Sequence, residues 1–158
     1  MRLLVLGGTW FVGRAVVADA VARGWTVTVF NRGASGPAPE GVTALHGDRT
    51  VPGGVDVLAG QRWDAVIDTW SGAPRAVADT ARLLADSADH YTYVSSRSVY
   101  QAPLVPGMAE DAPVVPATPD ADDGGYGESK AGGELAARLY FGEHRVLVAR
   151  TGLVLGPY

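Results

Sequence analysis

The sequence predicts an α/β domain built on a doubly wound parallel sheet. Three observations lead there. Short apolar runs alternate along the chain with stretches of helical period. Those runs are apolar almost throughout rather than at every second residue, as strands covered on both faces are. A glycine-rich turn follows the first run directly and stands at the mouth of the first helix.

Residues 2–6 (R-L-L-V-L) read as a buried strand ending at Gly7-Gly8. Residues 12–23 then set Val12, Val16 and Ala20 beside Val17 and Val21 at helical spacing, and Gly24 stops that helix. A second strand, T-V-T-V-F at 26–30, runs into N-R-G. V-T-A-L-H at 42–46 is a third, followed by a weak helix or turn at 54–60. D-A-V-I-D at 64–68 is the fourth. Pro74 opens a helical stretch over 74–88 that lines up Val77, Ala81, Leu84 and Ala88. Y-T-Y-V-S-S at 91–96 is the fifth strand, a last helix starts at Tyr126, and R-V-L-V-A at 145–149 is the sixth strand. Six strands suit a Rossmann-like sheet with helices on both faces; a flavodoxin-like sheet would use five. The segment 101–125 holds five of the ten prolines and the acids Glu110, Asp111, Asp120, Asp122 and Asp123. A loop of that length inside a compact domain is functional or disordered.

At 158 residues the chain fits one domain, able to bury roughly 70% of its unfolded surface. Its 47% hydrophobic and 19% charged content is that of a soluble globular protein. A net charge of −4 gives no electrostatic case for nucleic acid or an anionic membrane, so neither is expected as a partner. Absence of cysteine excludes disulfides, thiolate metal sites and cysteine nucleophiles, and suits a cytoplasmic location. The run L-L-V-L at 3–6 is too short for a signal peptide or a membrane span. His46, His90 and His144 lie far apart, so no metal site is expected.

The turn L-G-G-T-W-F-V-G has the outer glycines, Gly7 and Gly13, of a G-x-x-G-x-x-G loop, with Trp10 at the middle position. Small residues are needed there because backbone must turn tightly and approach a pyrophosphate, which the helix N-terminus then receives. Gly7, Gly8, Thr9, Trp10, Phe11, Val12 and Gly13 are therefore candidate cofactor-binding residues. The Trp10 ring must point away from the backbone, over an adenine or into the packing beneath. At the end of the second strand stand Asn31 and Arg32 in place of the acid that binds ribose hydroxyls in NAD sites. A guanidinium there pairs with a 2′-phosphate, which leans toward NADP with NAD as the other choice. Asp48 and Arg49 follow the third strand and read either as a bracket for the adenine or as a surface ion pair. Thr69 follows the fourth strand and joins the candidate cofactor set. Ser95 and Ser96 close the fifth strand, at the sheet edge that opens into a ligand crevice.

Y-G-E-S-K at 126–130 contains the sole lysine; the other twelve cations are arginine. Tyr126 and Lys130, four apart at a helix start, share one face. An ammonium favours the phenolate and makes a tyrosine a usable acid–base group. The same residues also fit a solvated helix face.

With G-G-T-W-F-V-G, S-S-R-S-V-Y, Y-G-E-S-K and R-T-G-L-V-L-G-P at 150–157 in that order, the chain resembles the short-chain dehydrogenase/reductase superfamily. Within it the likeness is to the extended or atypical branch, the NAD-dependent epimerase/dehydratase family. That resemblance implies Tyr126 as acid–base, Lys130 as its activator and ribose anchor, and Ser96 as hydrogen-bond partner of the reacting oxygen. It implies hydride transfer at a secondary alcohol or carbonyl of a small-molecule substrate, with nucleotide sugars as one class. Dehydratases of the family carry Asp-Glu where this chain has Arg97 and Ser98, which favours a reductase or epimerase. Family members continue into a C-terminal substrate domain, so residues 1–158 are expected to be the NAD(P)-binding Rossmann domain without it. Among partners, a small-molecule substrate is expected and a homodimer is left open. Two other readings stand beside the enzyme: a non-catalytic dinucleotide sensor, opposed by the retained Tyr126 and Lys130, and an RNA-binding relative, opposed by the acidic charge.

Overall fold

The computed structural model describes residues 1–34 and 36–156. Six strands, β1 (Arg2–Leu6), β2 (Thr26–Asn31), β3 (Thr43–His46), β4 (Trp63–Asp68), β5 (Ala88–Ser96) and β6 (Val146–Thr151), form one sheet. Their hydrogen-bonded order is β3-β2-β1-β4-β5-β6, and every pairing is parallel. The chain winds outward in one direction from β1 to β3, then in the other from β4 to β6. A crevice therefore opens where β1 and β4 lie side by side and their following segments diverge.

Three helices cover the sheet: α1 (Phe11–Ala22), α2 (Pro74–Leu84) and α3 (Tyr126–Phe141). β1 is apolar at successive positions because it is buried on both sides. Leu3 and Val5 pack with Val27, Val29, Val17 and Ala20 on the α1 face. Leu4 and Leu6 join Phe30, Val66, Tyr91 and Tyr93 against Val77, Ala81 and Leu84 of α2 and Ala136, Ala137 and Phe141 of α3. Each fully buried leucine contributes about 2 kcal/mol of transfer energy. A one-residue slip of β1 would exchange the two sets. On the α1 face the sheet continues through Ala65, Ile67, Thr92 and Val94 to Leu147 and Ala149 of β6. α1 packs on β1 and β2, and Leu147 is 54% exposed.

Differences from the sequence expectation lie at element ends. The helix expected over 74–88 stops at Leu84, because the Ser87 backbone N–H and hydroxyl both donate to the Leu84 carbonyl, at 2.9 and 3.3 Å. Ala88 instead begins β5, three residues before the expected start, and pairs with Trp63. Its spacing from Leu84 imitates a helical repeat. The weak element near 54–60 is a short 3₁₀ turn, Asp56–Leu58, that buries Leu58. A 3₁₀ turn, Arg97–Val99, follows β5 directly, and residues 101–125 beyond it are neither helix nor strand, yet they are tied down. Tyr100 bridges Val114, Val115 N–H donates to the Val99 carbonyl at 2.7 Å, and Arg75 pairs with Asp122. No described helix is long and apolar enough to cross a membrane. Pro157, the last residue of the R-T-G-L-V-L-G-P stretch, lies outside the described residues.

Candidate active site

The glycine turn lines a cleft of about 330 Å³ at the carboxyl end of β1. Gly7, Gly8, Thr9, Trp10, Phe11, Val12, Gly13, Asn31, Arg32, Asp48, Arg49 and Thr69, all expected from sequence, border it. Two glycines are required by geometry. Gly7 has φ 118° and leaves no room for a side chain, since a Cβ would lie 2.2 Å from Thr69 Oγ1. A Cβ on Gly13 would stand 2.5 Å from the Gly8 nitrogen, so only glycine lets α1 approach the turn. The middle position works differently. Trp10 takes an extended backbone (φ −134°), and Phe11 adopts the left-handed value of 37° at the first turn of α1. The Trp10 ring is 72% exposed at the cleft, which rules out packing beneath the loop. The cradle fits a dinucleotide: tight backbone, glycine where a Cβ would intrude, and a helix N-terminus behind it.

At the far side, the Asn31 carboxamide binds the turn rather than standing free. Its oxygen accepts from Gly33 N–H at 2.7 Å, and its nitrogen donates to the Gly7 carbonyl at 3.5 Å. Arg32 is exposed on the cleft wall. Asp48 accepts from the Thr50 hydroxyl and N–H at 2.7 and 2.9 Å, which with the charge of Arg32 holds its carboxyl below the usual range. Arg49 does not pair with Asp48, and the surface ion pair and the joint adenine bracket are both replaced. Its guanidinium turns inward and binds Asp68 through two bonds of 2.7 and 2.8 Å, with further bonds to Thr80 Oγ1 and the Ala76 carbonyl.

The catalytic candidates sit at the ends of β5 and α3. Ser95 and Ser96 point to different partners, as neighbours in a strand must. Ser95 is buried and donates to Glu134 Oε1 at 2.5 Å. Ser96 ends the strand, accepting from Ser98 N–H at 3.2 Å. The turn after it meets the start of α3, where the Ser98 carbonyl lies against Gly127. Tyr126, the first residue of α3, is 54% exposed. Lys130 on the same helix face is 3% exposed, and its Nζ donates to the Trp70 carbonyl at 2.5 Å and the Val94 carbonyl at 2.7 Å. Burial pushes the amine down to about 8; the Asp68 charge opposes that shift and Arg49 adds to it.

Sequence reasoning missed four participants. Trp70 and Ser71 line the cleft beside Thr69, and Trp70 is the acceptor for Lys130. Their signal was available, since both follow the end of a central strand as Thr69 does. Asp68 is fully buried, accepts from Arg49, from Tyr91 Oη at 2.6 Å and from Trp70 N–H at 2.9 Å. Burial works against its charge, but these donors outweigh it and keep the carboxyl below its usual range. Glu134, four residues past Lys130, is buried beneath the site and held by Arg150 at 2.9 and 2.7 Å.

Comparison with known proteins gives a consistent result. A family model described as "NAD dependent epimerase/dehydratase family" matches residues 3–158. The chain is 31% identical to a Bos taurus protein called "Epimerase family protein SDR39U1", over 99% of this chain and 55% of the relative. Among solved structures, a UDP-galactose 4-epimerase superposes with a TM-score of 0.72 at 24% identity, covering 95% of this chain and 55% of that one. A UDP-glucuronic acid 4-epimerase from Bacillus cereus, in complex with NAD, gives 0.75 at 19%, covering 99% and 58%. The Bordetella bronchiseptica enzyme WbmH, in complex with NAD+, gives 0.79 at 18%, covering 99% and 57%. The chain thus spans little more than half the length of the proteins it matches.

Proposed function

The chain belongs to the NAD dependent epimerase/dehydratase family, and from that premise we propose that its cleft holds a nicotinamide dinucleotide for hydride transfer at a secondary alcohol or carbonyl. One observation carries the reading. Trp70 both lines the glycine-turn cleft and accepts the Lys130 amine, so the cofactor cradle and the catalytic helix meet at one peptide group. When bound, the dinucleotide supplies the hydride acceptor or donor. Gly7 to Gly13 would receive its pyrophosphate, and Lys130 would offer an N–H to a ribose hydroxyl. Tyr126 takes the hydroxyl proton of an alcohol undergoing oxidation, or returns one to a carbonyl undergoing reduction. Ser96 holds the same oxygen by a hydrogen bond. Arg97 and Ser98 stand where water elimination would need acids, which favours a reductase or an epimerase, with nucleotide sugars among the substrates considered.

At the adenosine end, Arg32 favours a 2′-phosphate and hence NADP, while Asp48 beside it tempers that preference. The test is a titration of the chain with NADPH and NADH, followed by tryptophan fluorescence, since Trp10 and Trp70 both border the cleft. Saturable quenching is expected, with NADPH the tighter ligand. Tighter NADH would remove the Arg32 argument and keep the site. No binding of either would overturn the reading. In a form that turns over, Tyr126→Phe is expected to bind dinucleotide as before and to lose turnover. Retained turnover would end its acid–base assignment.

A further inference from the structure

We propose that the buried Asp68–Arg49 pair is a positioning device for Lys130, acting through the backbone and indole of Trp70. The inference rests on the reading of Lys130 as the site amine. The Trp70 backbone is held in both peptide groups that flank its Cα. Its N–H donates to Asp68 Oδ1, and its carbonyl accepts from Lys130 Nζ at 2.5 Å and from Tyr93 Oη at 3.1 Å. The indole is fixed as well, since Nε1 donates to the Ala73 carbonyl at 3.0 Å and the Arg49 guanidinium lies 5.1 Å from the ring centroid. Arg49 fixes both Asp68 carboxylate oxygens and Tyr91 adds a third donor, so the acceptor of the Trp70 N–H is itself held in place.

An ion pair this deep is not explained by stability, because well-packed apolar groups often do as well or better. It does supply direction. A carboxylate fixed by a two-pronged guanidinium cannot swing, so it anchors the Trp70 N–H, and the indole contacts to Ala73 and Arg49 hold the rest of the residue whose carbonyl faces the amine. The groups around Lys130 are then Asp68 and Arg49 below, the Tyr93 ring with its centroid 5.0 Å from Nζ, and Tyr126 on its own helix.

Lys130 is the only lysine, so a chain grown with ¹³C-lysine gives one side-chain Cε signal, and its two attached protons report restraint. A held side chain shows two distinct proton shifts; a free one shows a single averaged shift. The intact chain is expected to show two, and one shift there would overturn the proposal whatever the variants do. In Arg49→Met/Asp68→Leu/Tyr91→Phe, which replaces the polar set by apolar groups, the separation is expected to be lost while circular dichroism stays native. Trp70→Gly leaves the ion pair and all charges in place but removes the indole anchor, so that the carbonyl can turn independently of the N–H, and the same loss is expected. A folded variant of either kind with both shifts unchanged would overturn the positioning role. Adding NADPH forms a separate arm: movement of the Lys130 signal supports the cleft reading, and no movement overturns that reading independently of the free-chain result.

Discussion

Lys130 carries a consequence for stability as well as for chemistry. Its amine is held at about 8 by burial, against 10.5 for an exposed lysine. Between those values the folded chain leaves the amine neutral while the unfolded chain keeps it charged. The unfolded state then binds more protons, so stability rises with pH across that window. Below pH 8 both states are protonated and the cost of the buried charge is felt in full. A neutral amine still has two N–H groups, enough for the Trp70 and Val94 carbonyls. Tyr91 and Tyr93 act in the opposite sense, since burial pushes both hydroxyls above their ordinary value of 10.0. They remain protonated in the fold where the unfolded chain loses protons, and stability falls above that pH. The urea midpoint of the chain without cofactor is therefore expected to be higher at about pH 9 than at about pH 7.5. Lys130→Met should flatten that rise; an equally steep rise in the variant would assign it elsewhere.

Elements meet at the site through a second buried pair. Glu134 of α3 receives Arg150 of β6 through two bonds and Ser95 of β5 through a third. Arg150 also reaches Tyr100 Oη at 3.2 Å and the Glu110 carbonyl at 2.7 Å, which fastens the segment after β5 to the sheet end. Removing the cation alone would leave the buried carboxylate with the Ser95 hydroxyl and, at 3.8 Å, the more distant Arg138 guanidinium. Arg150→Leu is expected to cost about 3–5 kcal/mol in urea unfolding, and the double change Arg150→Leu/Glu134→Leu to recover most of it. A single variant as stable as the parent would contradict this account. The sequence carried part of the picture. Strand interiors, the glycine turn and the Tyr126–Lys130 helix were legible because each rests on local rules: apolar runs, backbone space and helical spacing. Arg49, Asp68 and Glu134 were hidden because their roles depend on partners brought together by the sheet. Nothing near Arg49 in sequence says that it turns inward. The Ala88 error came from the same source, since a four-residue interval was read as a helix that Ser87 had already ended.

Across the whole molecule, the two faces of the sheet are covered unequally. α2 and α3 close one face, whereas α1 lies over β1 and β2 on the other. Ile67, Val94 and Leu147 continue the second face toward β6, and Leu153 and Leu155 beyond it are 87% and 82% exposed. Apolar surface of this kind binds other apolar surface. The chain is expected to enhance the fluorescence of an apolar dye such as ANS while giving a native circular dichroism spectrum. Leu147→Lys should reduce that enhancement without shifting the spectrum. No enhancement in the parent chain would mean that this surface is closed in solution. The lysine count has a reach of another kind. With its one lysine folded away, the molecule shows amine-directed reagents and ligases no side chain at its surface. Modification of Lys130 would then be a clock for opening of the fold, counting the moments when α3 comes away from the sheet.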